Sequence, residues 1–251
     1  MIDLNGKSAL VTGGSRGIGR ACCLMLARAG ASVAVNYRVE SPSAELLVEE
    51  IEKMGGEAFA LAADVARRED AEMMVDETVS RFGGLDILVN NAGIWKSSAI
   101  EEMSDSEWAE MLGVNLTGPF HCIRAAVPAM KEARAGRIIN VSSTAGQRGE
   151  AFHAHYAATK GAVISMTKSL AAELAPHGIL VNCVAPGWTV TDLTRDDLLG
   201  ARRESILSAI PLGRAATPEE IAGAVLFLAS ELSTFVTGEI LNVNGGAVLV
   251  G

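Results

Sequence analysis

Short apolar runs alternate with amphipathic stretches along the whole chain. Lys7–Thr12 (KSALVT), Ala31–Tyr37 (ASVAVNY), Glu57–Ala62, Asp86–Val89 (DILV), Arg137–Val141 (RIINV), Ile179–Val184 (ILVNCV) and Glu239–Val243 are short and rich in β-branched residues. They read as about seven strands. Helix patterns lie between them: from the turn after Thr12 through Ala29, Glu45 to Met54, Arg68 to Phe82, Ser104 to about Glu132, Ala157 to Ala175, and Thr217 to Ala229. Gly55-Gly56 and Gly83-Gly84 close two of these helices, and Pro176 with Gly178 stops a third. Ser104-Asp105-Ser106-Glu107 has the form of a capping box, and Thr217 offers an N-cap ahead of Pro218. Pro119 and Pro128 are expected to interrupt or kink the long helical region. Trp188 to Pro211 reads as polar and irregular, with charged clusters. Strands that alternate with helices predict an α/β fold, a doubly wound parallel sheet of Rossmann-like form with helices on both faces. No internal repeat, low-complexity tract or linker composition divides the chain, so a single domain over residues 1–251 is expected.

Composition narrows the function classes. A chain of 251 residues lies within the range of one large α/β domain. With 49% hydrophobic and 20% charged residues, a sizeable core is expected and global disorder is not. The net charge of −9 argues against a nucleic-acid surface and against general attraction to anionic membranes. No apolar run reaches the roughly 18 uncharged residues of a membrane span. The N-terminus has no basic region followed by a long apolar run, so no secretory signal is expected. Cys22, Cys23, Cys122 and Cys183 form no CxxC pair and read as buried, reduced thiols of a cytoplasmic protein. His121, His153, His155 and His177 show no metal-ligand spacing, so no catalytic metal is expected.

Two stretches carry candidate chemistry. Gly13, Gly17 and Gly19 lie between the first strand and the first helix, as Gly-x-x-x-Gly-x-Gly. Glycines there let the backbone approach a pyrophosphate, and the helix start offers free N–H groups and a positive dipole end. Tyr156 and Lys160 are four residues apart at the start of a helix, on one face and one turn apart. An ammonium beside a phenol stabilises the phenolate, so the Tyr156 pKa is expected to fall from about 10 towards neutrality. Such a tyrosine can give or take a proton at physiological pH.

TGGSRGIG at Thr12–Gly19, NNAG at Asn90–Gly93, Asn115, Ser143, YAATK at Tyr156–Lys160 and APGWTVT at Ala185–Thr191 occur in this order. Together they resemble the short-chain dehydrogenase/reductase family, over about Gly6 to Gly246. The resemblance implies a catalytic set of Asn115, Ser143, Tyr156 and Lys160. It implies cofactor contacts from Gly13, Ser15, Arg16, Gly17, Ile18 and Gly19 at the turn. Tyr37, Arg38, Asp64, Val65, Asn90, Asn91, Ala92 and Gly93 would lie on the adenosine side. Tyr156, Lys160, Pro186, Gly187, Thr189 and Thr191 would lie on the nicotinamide side. Ser143, at the end of a strand, would hydrogen-bond the substrate oxygen, and Tyr156 would deliver the proton. Lys160 would tune the phenol and bind the nicotinamide ribose. Asn115 would interrupt its helix by bonding to backbone and hold a water in a proton relay.

An acid about 20 residues past the glycine turn would bind the ribose 2′-hydroxyl of NAD. The chain reads Val35-Asn36-Tyr37-Arg38 there, without an acid, and Arg16 sits inside the turn. Two guanidinium groups suit a 2′-phosphate, so NADP(H) is expected. Ile94–Ala99, Thr144–His155 and Trp188–Pro211, the last as a lid, are the segments expected to touch substrate. Trp95, Gln147, Phe152, His153, His155 and Trp188 give them a mixed aromatic and polar wall, with the histidines expected to be exposed. The wording is most similar to β-ketoacyl-acyl-carrier-protein reductases. That implies reduction of a ketone, or the reverse, on a small ketone or alcohol or an acyl thioester. Acyl carrier protein would be met through Arg134 and Arg137, although His177 stands where an arginine would help. The alternatives are a secondary-alcohol, sugar or small-ketone dehydrogenase without a carrier, and a non-catalytic dinucleotide-binding regulator. The resemblance also implies a homotetramer. The Asn115 and Tyr156 helices would pack at one interface and Val248-Leu249-Val250 at another, unless that tail covers an edge of its own subunit.

Overall fold

A computed structural model describes residues 2–39 and 41–249. Seven strands form one sheet: β1 (Ser8–Val11), β2 (Ser32–Tyr37), β3 (Ala58–Ala62), β4 (Ile87–Asn90), β5 (Gly136–Val141), β6 (Ile179–Pro186) and β7 (Ile240–Val243). Their order is β3-β2-β1-β4-β5-β6-β7 and every pairing is parallel. The chain starts in the middle of the sheet, runs to one edge, then returns to build the other half. The direction reverses between β1 and β4, and a crevice opens there beyond the carboxyl ends of the strands.

The apolar runs are continuous rather than alternating because both faces of the sheet are covered. Val33 and Val35 of β2 pack into one core with α1 (Gly17–Arg28), α2 (Ser41–Lys53) and α10 (Pro218–Ala229). Ala34, between them, packs into the opposite core with α3 (Arg68–Phe82), α5 (Gly118–Ala133) and α7 (Ala154–Leu174). Among the described residues no helix is long and apolar enough to cross a membrane. The four cysteines are free and buried.

Several boundaries depart from expectation for local reasons. α2 starts at Ser41 rather than Glu45, since Pro42 fits a first helical turn. The long region after Ser104 divides into α4 (Asp105–Leu112), a π-helical turn (Gly113–Thr117) and α5. The break comes just ahead of Pro119, which has no N–H to give the carbonyl of Asn115. Pro128 lies inside α5 without ending it. Both capping boxes are present, at Ser104 with Glu107 and at Thr217 with Glu220. α7 begins at Ala154, so Tyr156 and Lys160 both fall in its first two turns. A short helix not foreseen from the sequence, α6 (Ala145–Arg148), follows Ser143. Residues 188–211 are not irregular throughout. They form α8 (Arg195–Leu199) and α9 (Arg203–Ser208), closed over a small cluster of Leu198, Ile206 and Ile210 with Trp188 packed on it. At the C-terminal tail Val248 is buried and Leu249 exposed, and Val250 lies outside the described residues.

Candidate active site

The glycine turn after β1 is held from two sides. Asn36, buried in β2, accepts from the Gly13 N–H (3.1 Å) and donates to the Ala63 carbonyl (3.1 Å). Asn91 donates through its Nδ2 to the carbonyls of Thr12 (2.9 Å) and Gly13 (3.1 Å). The Thr12 hydroxyl accepts from the N–H groups of Asn91 and Ala92, both at 3.0 Å. Gly13 and Gly17 have φ of 61° and 53°, a conformation costly for other residues. α1 starts at Gly17 with no side-chain cap and no acid in its first turn, so its free N–H groups face the cleft as an anion site.

A cleft of about 440 Å³ runs from this turn across the carboxyl ends of the strands. All but two of the expected cofactor positions line it. One exception is Gly19, which lies behind the turn. A Cβ there would sit 2.2 Å from the Gly13 carbonyl oxygen, so its role is close packing of helix on turn. Asn90 does not line the cleft either. It is buried, and its Nδ2 donates to Asn140 (2.9 Å), which donates to Thr167 of α7 (2.9 Å). Adjacent residues of a strand face opposite sides, so Asn90 supports the sheet and Asn91 meets the cleft. Ser142 was missed by sequence reasoning. Its buried hydroxyl donates to the Lys160 carbonyl (2.8 Å) and ties α7 to the end of β5.

At the adenosine end the cleft is lined by Arg16, Tyr37, Arg38, Asp64 and Val65. Arg16 and Arg38 are exposed, and Arg38 Nη1 lies 3.7 Å from an Asp64 oxygen. Tyr37, the last residue of β2, donates to Ser41 (3.3 Å).

At the other end, Ser143, Tyr156 and Lys160 converge. Lys160 is buried, and its Nζ donates to the Val141 carbonyl (2.8 Å). It lies 5.8 Å from the centre of the Tyr156 ring. The expected drop in the Tyr156 pKa is not found in the protein alone. Burial pushes the phenol up to about 12, a hydrogen bond with Ser143 opposes this, and the Glu150 charge adds to it. Burial also brings Lys160 down to about 8. The helix places the two side chains on one face, but the ammonium is spent on backbone and partly neutral near its pKa, so desolvation wins.

Asn115 does not line the cleft. It is fully buried in the π-helical turn, with Oδ1 accepting from the Ile94 N–H and Nδ2 donating to the Ile94 carbonyl, both at 2.8 Å. Its side chain therefore bonds to backbone as expected, but to that of the strand-end loop rather than its own helix. This pins the segment after Gly93 over the site.

A second, smaller cavity adjoins Ser143 and Tyr156 and is walled by Trp95, Glu150, Trp188 and Leu193. His153 and His155, expected to be exposed, are 3% and 0% exposed. His153 is covered by the Trp95 ring, and His155 sits in the first turn of α7 with neither ring nitrogen bonded. Phe152 is 68% exposed, at a φ of 63°. Gln147 donates to Asn242 (2.6 Å) and lines neither cavity. Arg137 is unavailable for docking, because its side chain is 15% exposed and paired with Glu231 (3.6 Å).

Residues 13–248 match a family model described as Enoyl-(Acyl carrier protein) reductase. The chain is 48% identical over 240 residues to a 3-oxoacyl-(acyl-carrier-protein) reductase FabG of Staphylococcus aureus, covering 96% of this chain and 97% of that one. It is 43% identical to a 3-oxoacyl-(acyl-carrier-protein) reductase of Synechocystis, covering 99% and 100%. A dehydrogenase/reductase from Sinorhizobium meliloti has the same structure at a TM-score of 0.92, with 42% identity and coverage of 98% and 97%. A short-chain type dehydrogenase/reductase from Mycobacterium marinum superposes at 0.93, with 38% identity and coverage of 99% and 98%.

The chain belongs to the short-chain dehydrogenase/reductase family. It is accordingly an enzyme that uses a nicotinamide cofactor. In this short-chain dehydrogenase/reductase the uncapped start of α1 and the cleft beyond it fit a dinucleotide along their length. Gly146 is a further residue that spacing did not reveal. A Cβ there would meet the Lys160 carbonyl carbon at 2.5 Å, so only glycine lets α6 lie against the helix that carries Tyr156.

Proposed function

We propose that the protein reduces the ketone of a 3-oxoacyl thioester to a secondary alcohol with NADPH, and that Tyr156 supplies the proton. The observation that carries this reading is the convergence of Ser143 and Tyr156 on one cavity that opens beside the cleft. A bound reduced nicotinamide supplies the hydride. The substrate oxygen accepts from Ser143 and Tyr156, which hold it at the end of β5. As negative charge grows on that oxygen, the Tyr156 proton moves onto it. A phenol held above its ordinary range is protonated at neutral pH, as an acid for reduction must be. Lys160, protonated below about 8, stabilises the phenolate left behind. Asn115 positions the backbone at Ile94 and completes the site with the other three residues. Enoyl reduction, named by the family model, is less well served, since two donors on one oxygen suit a carbonyl.

NADP(H) is the cofactor in this reading, because Arg16 and Arg38 flank the ribose pocket and Tyr37 replaces an acid. The test is kcat/KM for NADPH against NADH with acetoacetyl thioesters. NADPH is preferred, and Arg38→Asp lowers the NADPH value by at least about tenfold, since a charge-assisted contact is worth about 1.5–3 kcal/mol. An unchanged value overturns the assignment. The relatives' names suggest an acyl-carrier partner, which would meet Arg134 at the α5 terminus beside Gly178. Residues 188–211 act as the lid of a single domain. The half-exposed Trp108 and Phe120 on α4 and α5 suit burial in a homotetramer.

A further inference from the structure

The small cavity beyond Tyr156 has a volume of about 80 Å³. It is a small recess, open on one side, with room in it for a carbonyl and a short alkyl group. Trp95 forms one of its walls, and three contacts, two from the 150–153 segment and one from Trp188, fix this indole. Its ring stacks on His153 with centres 4.6 Å apart and planes 5° apart. Its edge meets Trp188 of the lid at 5.8 Å and 89°. Its Nε1 donates to Glu150 Oε2 at 3.2 Å. His153 is itself anchored, with Nδ1 2.9 Å from the Ala151 carbonyl and 4.0 Å from Glu150 Oε1. An indole held on its face, edge and nitrogen is a fixed wall rather than a swinging gate.

We infer that Trp95 is a specificity-determining residue that restricts the substrate to short acyl chains, with Glu150 and His153 as the residues that position it. The inference rests on the ketone-reduction reading and adds a chain-length limit to it. Tyr156 follows His153 by three residues on the same helix start, so the wall and the acid are registered to each other by α7. The Glu150 carboxylate also lines the cavity, which makes its far end unsuited to an acid group on the substrate.

The test uses 3-oxoacyl thioesters of a small thiol, from acetoacetyl to 3-oxodecanoyl, beside methyl ketones of matching length. The expected result is a kcat/KM that falls with length. Trp95→Ala raises the long-to-short ratio by at least about tenfold, the scale of one or two methylenes in a pocket. Glu150→Ala removes the acceptor of the indole N–H and moves the ratio the same way by less. Glu150→Gln keeps an acceptor and restores the ratio to near that of the wild type. General structural damage lowers both rates and leaves the ratio alone. Equal efficiency across lengths in the wild type, or an unchanged ratio in both Trp95→Ala and Glu150→Ala, overturns the wall and leaves ketone reduction standing. Length-dependent turnover of methyl ketones without turnover of any thioester overturns the thioester reading and leaves the wall standing.

Discussion

Replacing Lys160 by Met sets fold stability against chemistry at a single residue. Lys160 is 5% exposed, and burial brings its pKa from 10.5 to about 8. That difference corresponds to about 3 kcal/mol against the charged form, at 1.36 kcal/mol for each tenfold change. The folded pKa lies below the unfolded one, so between about 8 and 10.5 the unfolded chain binds more protons. Stability therefore rises with pH through that window, and below pH 8 the full penalty is present. Methionine removes the penalty and keeps an unbranched stem. It also deprives the Val141 carbonyl of its donor, which costs about 1–3 kcal/mol. The balance at neutral pH runs from nothing to about 2 kcal/mol in favour of Lys160→Met. For a chain of this size about 1 kcal/mol moves Tm by about 2–4 °C. Without cofactor, Lys160→Met should melt at or several degrees above the wild type near pH 7. Its advantage should shrink and then reverse as pH approaches about 10, while turnover is lost. Circular-dichroism melts across that range check this. A variant that melts well below the wild type near pH 7, with no relative change on raising the pH, would refute the reasoning.

Two further substitutions probe the frame of the site. Gly19→Ala places a Cβ 2.2 Å from the Gly13 carbonyl oxygen and 2.5 Å from Asn91 Nδ2, whose bonds to the Thr12 and Gly13 carbonyls hold the turn. NADPH affinity, followed by fluorescence titration, should drop at least about tenfold as the turn is displaced, by analogy with other steric losses of 1.4 kcal/mol or more. An unchanged Kd would show that the turn has room. Asn115→Ala severs both bonds to Ile94 and leaves two partly buried backbone groups without these partners. Chemical denaturation should report a loss of about 2–4 kcal/mol, with a lower kcat at saturating cofactor. Wild-type stability would contradict the pinning role.

The sheet was legible because its strands are buried on both faces, so Val33, Ala34 and Val35 all had to be apolar. The glycine turn and the Tyr156–Lys160 spacing were legible because they are local. What depended on direction was not. Spacing placed Lys160 beside Tyr156, but only the fold shows the ammonium turned to Val141. NNAG named two asparagines, and strand alternation decides which one meets the cleft. α8 and α9, at five and six residues, are too short to carry a periodic pattern, so the lid read as irregular. The histidines read as exposed because the sequence does not show that Trp95 folds over His153.

The central claim is that Tyr156 delivers the proton. Its most direct test is Tyr156→Phe, assayed for NADPH oxidation with an acetoacetyl thioester and, separately, for NADPH binding. Phenylalanine keeps the ring and removes the hydroxyl, so binding should stay near the wild-type value while kcat falls by about 10²–10⁴-fold or more, the worth of a positioned acid. Turnover close to the wild type in a variant that still binds NADPH would contradict the account.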